Sequence, residues 1–317
     1  MKYVKTFETH SEYESYIEDI SINLLPNVSY CKNTHDVHYN PYDYSKAYLT
    51  FEALEGGTFK YTICYGPDSE GGGDVYADAK LQYSFNGEDW FDWSRPNAIS
   101  ESITVLANQK LYVRGYTQPY YNAVTDDVYG TVKFSSTCRF NVCGLLSSLL
   151  YGYDWTNREF IWTKQPMKTT HFSYLFVNCD KLISTENLIL PQEIVNYCYR
   201  GMFEGCTTLT TAPVLPATTL ARLCYQNMFK GCTSLTTAPE LPATTLADYC
   251  YSSMFYNCSN LNYIKAMFTT TPSTTYTPNW VSGVAATGTF VKNSSAQWNV
   301  TGNNGIPSGW TVQTASA

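Results

Sequence analysis

The chain has 317 residues, 44% apolar and 15% charged, which is enough for a packed core divided over two or three domains. Its net charge of −7, with Lys and Arg scattered, excludes the basic stripe that a nucleic-acid partner requires. No window reaches the roughly 18 apolar residues of a membrane-spanning helix. The opening MKYVKTFETH has no apolar stretch and no small-residue cleavage site, so no secretory signal is read. A protein kept in the cytoplasm, or leaving it by lysis, is expected. Eleven cysteines are too few for a disulfide scaffold of this length and are expected as buried thiols. The 28 tyrosines suit half-buried strand positions or a contact surface.

At the N-terminus, Thr9 and Glu12 have capping-box spacing, and Tyr13, Tyr16, Ile17 and Ile20 follow at helical spacing. A helix over about residues 10–20 and a loop to residue 45, suited to docking, are expected. Cys31, His35 and His38 form half of a zinc pattern. A clear fourth ligand is missing, Asp36 and Asp43 being no more than candidates, so a packed loop is expected instead. Residues 46–143 alternate as strands do and predict a small sandwich of five to eight strands. Within them LQYSF-NG-EDWFDW reads as a hairpin, Asn86-Gly87 suiting a type I′ turn. Asp68, Glu70 and Asp74 around three glycines lack the order of a calcium loop and read as an exposed turn. No metal and no cofactor is expected. Tyr120, Tyr121 and Tyr129, in the loop 118–130, are candidate contacts for sugar rings. Residues 144–170 read as a junction, with Trp155 and Trp162 buried.

The second half repeats. Residues 207–232 and 233–258 are identical at 18 of 26 positions, and a looser copy precedes them. Cys206, Cys232 and Cys258 recur every 26 residues, as do Cys198, Cys224 and Cys250. The unchanged Leu220, Cys224, Met228, Phe229 and Cys232 form one stripe. The changing pairs Arg222/Asp248, Gln226/Ser252 and Lys230/Tyr256 form another, and Leu223/Tyr249, Asn227/Ser253 and Gly231/Asn257 a third. This spacing predicts an amphipathic helix or helical turns with Cys, Met and Phe inward. Leu209–Ala212 and Leu235–Ala238, each ended by a proline, predict short strands. Arg222, Gln226, Lys230, Asp248, Ser252 and Tyr256 are thereby candidate ligand contacts on the outer rows. Residues 269–317 are expected as a linker and a small β cap.

The strings MFKGCTSLTTAPELPATTLA and CYSSMFYNCSNL resemble the BspA-like leucine-rich repeats, over roughly residues 171–268. Such repeats occur in Bacteroides-type bacteria and their tailed phages, crAss-like phages among them. The resemblance implies a short strand-and-helix solenoid and a surface or adhesion role without catalytic residues. The fold class expected is β-rich mixed α/β: N-terminal helix, β-sandwich, solenoid and cap.

Chemistry adds nothing to that. The four histidines, His10, His35, His38 and His171, accompany no GxSxG, and acidic residues are sparse across the repeat. The function expected is a virion surface component, a head or tail fibre or capsid decoration assembled in the host cytoplasm. Its expected partners are other virion proteins, a host glycan or protein, and further copies of itself. A bacterial cell-surface adhesin is the alternative, and a polysaccharide-active enzyme a weaker one.

Overall fold

A computed structural model describes residues 48–63, 78–95, 99–118, 120–122, 127–129, 132–154 and 159–315. All of them belong to one compact unit, Tyr44–Ala317. The helix expected over residues 10–20, the docking loop, both metal candidates and Trp155 lie outside the described residues. So do the side chains of Trp162, Tyr120, Tyr121 and Tyr129.

The first twelve strands are β1 (Leu49–Ala53), β2 (Gly57–Ile63), β3 (Asp78–Ser84), β4 (Phe91–Asp92), β5 (Ile103–Val105), β6 (Lys110–Gln118), β7 (Tyr120–Asn122), β8 (Asp127–Tyr129), β9 (Val132–Ser136), β10 (Phe140–Leu145), β11 (Tyr151–Asp154) and β12 (Glu159–Lys164). The repeat region adds β13 (Leu182–Ser184), β14 (Leu188–Ile189), β15 (Tyr263–Ala266), β16 (Thr289–Lys292) and β17 (Thr311–Thr314). The large sheet runs β13-β10-β1-β6-β3-β4, with β14 also on β10, and a smaller sheet runs β5-β2-β9. Alternation buries Leu49, Phe51, Leu81, Leu111, Val113, Phe140 and Val142 from the first, and Phe59, Tyr61, Val132 and Phe134 from the second. The two layers meet in rings: Phe51 lies 5.1 Å from Phe59 and 5.0 Å from Phe134, and Phe59 lies 5.0 Å from Phe140.

Among the described residues there is no α-helix, only a 3-10 turn at Leu146–Leu149. The expected mixed α/β class is corrected to all-β. What was read as helix is a chain of overlapping turns. Between residues 197 and 206 even-numbered amides donate three residues back, as in Met202 N to Tyr199 O at 3.2 Å and Glu204 N to Gly201 O at 3.0 Å. Odd-numbered amides donate to the next coil, as in Phe203 N to Met228 O at 2.9 Å and Gly205 N to Lys230 O at 2.8 Å. Even-numbered carbonyls in turn accept from the preceding coil, Phe176 N to Met202 O at 2.9 Å among them. Donors and acceptors are thus used up without one i→i−4 bond.

This path needs a left-handed residue at every fourth position. Tyr197, Gly201 and Gly205 have φ of 60°, 58° and 73°, and Leu223, Asn227 and Gly231 have 58°, 57° and 75°. Tyr249, Ser253 and Asn257 continue the series. The last six of these are the members of the third stripe read from the sequence. A four-residue recurrence is shared by a helix and by this turn path. Gly and Asn in that stripe weaken a helix and favour left-handed backbone.

Inside, each coil contributes to two aromatic columns. Phe176, Phe203, Phe229 and Phe255 stack 5.6, 5.5 and 5.7 Å apart, and Tyr199, Tyr225 and Tyr251 stack 5.6 and 6.0 Å apart. The cysteines lie beside them, buried and reduced. Cys206, Cys232 and Cys258 point their thiols at the Phe176, Phe203 and Phe229 carbonyls of the preceding coil, 2.9–3.1 Å away. On the opposite wall the strands expected at Leu209–Ala212 and Leu235–Ala238 shrink to single parallel bridges, Ser184 with Thr211 and Thr237 with Tyr263. Pro213, Pro216, Pro239 and Pro242 have no amide to give, so the ladder is interrupted there and resumes only at Leu241, which bridges Ala266.

The two halves share a core. β10 pairs in parallel with β13 and β14 of the first coil. On the other wall Phe134 N donates to Leu175 O at 2.9 Å, the Cys179 thiol points at the Phe134 carbonyl, and Phe176 lies 5.8 Å from Phe134. Each sheet of the sandwich therefore continues into one wall of the stack. Towards the C-terminus the period persists: β15 and β16 pair in parallel 26 residues apart, Tyr263 with Thr289. Asn279 and Gly283 repeat the left-handed positions. Three indoles tie the last coils together. The ring N–H groups of Trp280, Trp298 and Trp310 donate to the Gly305, Phe268 and Ala285 carbonyls.

Candidate functional site on the outer face of the large sheet

The residues of β6 that alternate with its core positions are Tyr112, Arg114 and Tyr116, all half-buried on the face away from the small sheet. The register places Gln82 of β3 opposite Arg114, and Asp92 of β4 opposite Gln82. The three side chains are joined. Arg114 Nε and Nη2 donate to Gln82 Oε1 at 3.1 and 2.9 Å, and Gln82 Nε2 donates to Asp92 Oδ1 at 2.9 Å. Over the guanidinium lies Trp90, its ring centroid 3.9 Å from Cζ. Tyr48 meets that indole edge-on at 4.6 Å. Burial holds Arg114 below its ordinary pKa while Tyr48 opposes the shift. A guanidinium stays charged through such a change.

The loop that delivers Trp90 is built by Asn86. Its Oδ1 accepts the amides of Glu88 and Asp89 at 2.9 Å each, its Nδ2 donates to Asp89 Oδ2 at 2.7 Å, and Gly87 is left-handed at φ 77°. The hairpin expected from Asn86-Gly87 is present. However, β3 and β4 close with Tyr83 opposite Phe91, so the connection is longer than a two-residue type I′ turn. The result is a half-buried indole packed on the guanidinium and, two residues on, an exposed carboxylate tied to the same polar network.

The residues singled out from the sequence do not form one site. Tyr120 and Tyr129 are cross-strand partners in the β7–β8 ribbon, with Tyr121 opposite Val128. The outer rows of the coils partly serve the stack. Lys230 bridges to Glu204 one coil below at 2.8 Å. Arg222 donates to the Tyr197 hydroxyl and lies 5.5 Å from its ring. Gln226 is half-buried, and Ser252 is a correction, buried at 7% exposure rather than outward. Asp248 is exposed and Tyr256 half-exposed. Of the invariant stripe, Leu220 is only partly buried.

His171 has a structural place. Its Nδ1 accepts the Lys168 amide, so its proton sits on Nε2, 2.9 Å from Thr117 Oγ1. Thr117 donates onward to the Leu149 carbonyl. Burial, with the Lys168 charge adding to it, pushes the imidazole down to about 3, so it stays neutral. Burial pushes the thiols of Cys179, Cys198, Cys250 and Cys258 up to about 12, away from nucleophilic or metal-binding form. Among the described residues no three His, Cys, Asp or Glu side chains gather as a metal site, and no helix is long and apolar enough to cross a membrane. Comparison with protein-family models, with characterised proteins and with solved structures finds no match to this chain.

Proposed function

We propose that the protein is a non-enzymatic structural and attachment component of a phage virion surface, working by presenting side chains on a rigid frame to a host glycan or protein. The observation that carries this reading is the stack itself. Its inter-coil backbone bonds hold successive coils at one spacing, while its outward positions change chemistry between otherwise matching units, Arg222 against Asp248 and Lys230 against Tyr256. The resemblance to surface-type repeats agrees with it. Virion partners and self-association belong to the same reading.

The test is to raise antibody against the full-length protein and label intact phage particles and intact bacterial cells in parallel. Labelled particles, together with competition of phage adsorption by the purified protein, are expected. Label confined to the bacterial envelope would replace the virion reading with that of a bacterial adhesin.

A further inference from the structure

We propose that the face of the large sheet turned away from the small sheet is a binding site for a neutral glycan, with Trp90 as the platform for a sugar ring and Asp92 and Gln82 as its hydrogen-bonding rim. The proposal takes only its attachment role from the reading above; the site rests on geometry.

The core owes this face nothing. Leu81, Leu111 and Val113 already fill the opposite side of β3 and β6. Yet this outer face carries a connected set rather than scattered solvated groups: Trp90 on Arg114 at 3.9 Å, Arg114 on Gln82, and Gln82 on Asp92. Each contact fixes a side chain that would otherwise lose rotamer freedom on meeting a ligand, and such preorganisation is what raises affinity. The Asn86 turn fixes the approach of Trp90 in the same way.

A flat aromatic ring beside a carboxylate suits one ligand class well. The apolar C–H face of a pyranose lies on an indole, and adjacent hydroxyls donate to a carboxylate oxygen. Asp92 is exposed and its Oδ1 is already oriented by Gln82. Charge chooses within the class. Arg114 and Asp92 offset one another, the carboxylate stands at the rim where it would repel an acidic sugar, and the whole chain carries −7. A neutral polysaccharide is therefore favoured over a polyanion.

The experiment is affinity gel electrophoresis of the full-length protein in gels containing galactomannan, xyloglucan, laminarin or alginate. Retardation by at least one of the three neutral polymers is expected. Trp90→Ala and the milder Asp92→Asn should each weaken it by more than about tenfold. Asp92→Asn changes one exposed side chain and covers the case in which Trp90→Ala does not fold. Lys60→Ala on the small sheet and Gln313→Ala on β17, both exposed, should migrate as the parent does. Retardation by alginate alone, no retardation by any polymer, or retardation unchanged in Asp92→Asn and in folded Trp90→Ala would each overturn the site. Binding of the purified protein to intact cells is measured alongside. Cell binding without polysaccharide retardation sinks the sugar site and leaves the attachment reading standing. Retardation without cell binding supports the site and counts against attachment.

Discussion

Replacing Phe229 by alanine tests the interior of the stack most directly. The ring is fully buried between Phe203 at 5.5 Å and Phe255 at 5.7 Å, nearly parallel to both. Its removal costs the transfer of a phenyl group and leaves a gap. The gap cannot close by moving the coils together, because Phe203 N to Met228 O and Phe229 N to Met254 O set their separation at hydrogen-bond length. Poor relaxation puts the loss in the upper part of the range for buried aromatic truncation, about 3–5 kcal/mol, with the two stacking contacts contributing about 0.5–1.5 kcal/mol each within it. Lys230→Ala, next along the chain, removes a half-exposed pair with Glu204 and should cost no more than about 1 kcal/mol. Urea unfolding of both variants, followed by circular dichroism with the slope checked for two-state behaviour, reads the difference. Similar losses at the two positions would refute the assignment of Phe229 to the interior column.

Gly231→Ala separates the turn path from a helix by sign. At φ 75°, with the nearest atom 3.8 Å from an added Cβ, the substitution meets strain but no clash and should destabilise by about 1–2 kcal/mol; in a helix it would stabilise by about 1 kcal/mol. Gly201→Ala adds a clash to the same strain, its Cβ falling 2.4 Å from the Tyr174 ring, and should cost more in the same melt. Iodoacetamide applied to native protein near about pH 8 should leave the coil cysteines unmodified until urea is added, since their thiols are buried and held protonated; fast native labelling of Cys206, Cys232 and Cys258 would contradict the columns. His171 makes stability depend on pH. Its folded pKa of about 3 lies below the ordinary 6.5, so the unfolded chain takes up a proton that the folded one refuses, and stability is complete above about 6.5 and declines as pH falls towards 3. The urea midpoint should show that slope in the parent and lose most of it in His171→Gln.

The 26-residue period, the inward Cys, Met and Phe and the alternation of the sandwich strands were all legible in single residues. The local conformation of the repeat was not, because Cys224, Met228 and Cys232 recur every four residues in both candidate paths. Only composition distinguished the paths: Gly231, Asn227 and Asn257 stand where a helix would pay for them and a left-handed turn uses them. The site on the sheet was hidden differently. LQYSF and KLYVRGY assign Gln82 and Arg114 to the polar side of their strands. That the two stand opposite one another, 32 positions apart, depends on which strands pair and in what register, and no local pattern carries that information. Trp90 was hidden by its loop, which the dipeptide Asn86-Gly87 suggested should be shorter than it is.

The parallel bonding between coils bears on how the chain came to have this length. On the turn wall a coil presents carbonyls towards one neighbour and amides towards the other, and from Tyr197 onward the pattern recurs every 26 residues, so these coils fit one another. Duplicating a segment such as residues 207–232 inserts a unit whose two sides already fit, and it disturbs neither the β9–β10 junction nor the tryptophan-tied end. A single-residue insertion between two left-handed positions has no such immunity, since it moves every following amide out of line with its acceptor. Length in this molecule should thus vary in whole units, and the near-identity of residues 207–232 and 233–258 fits a gain of one such unit.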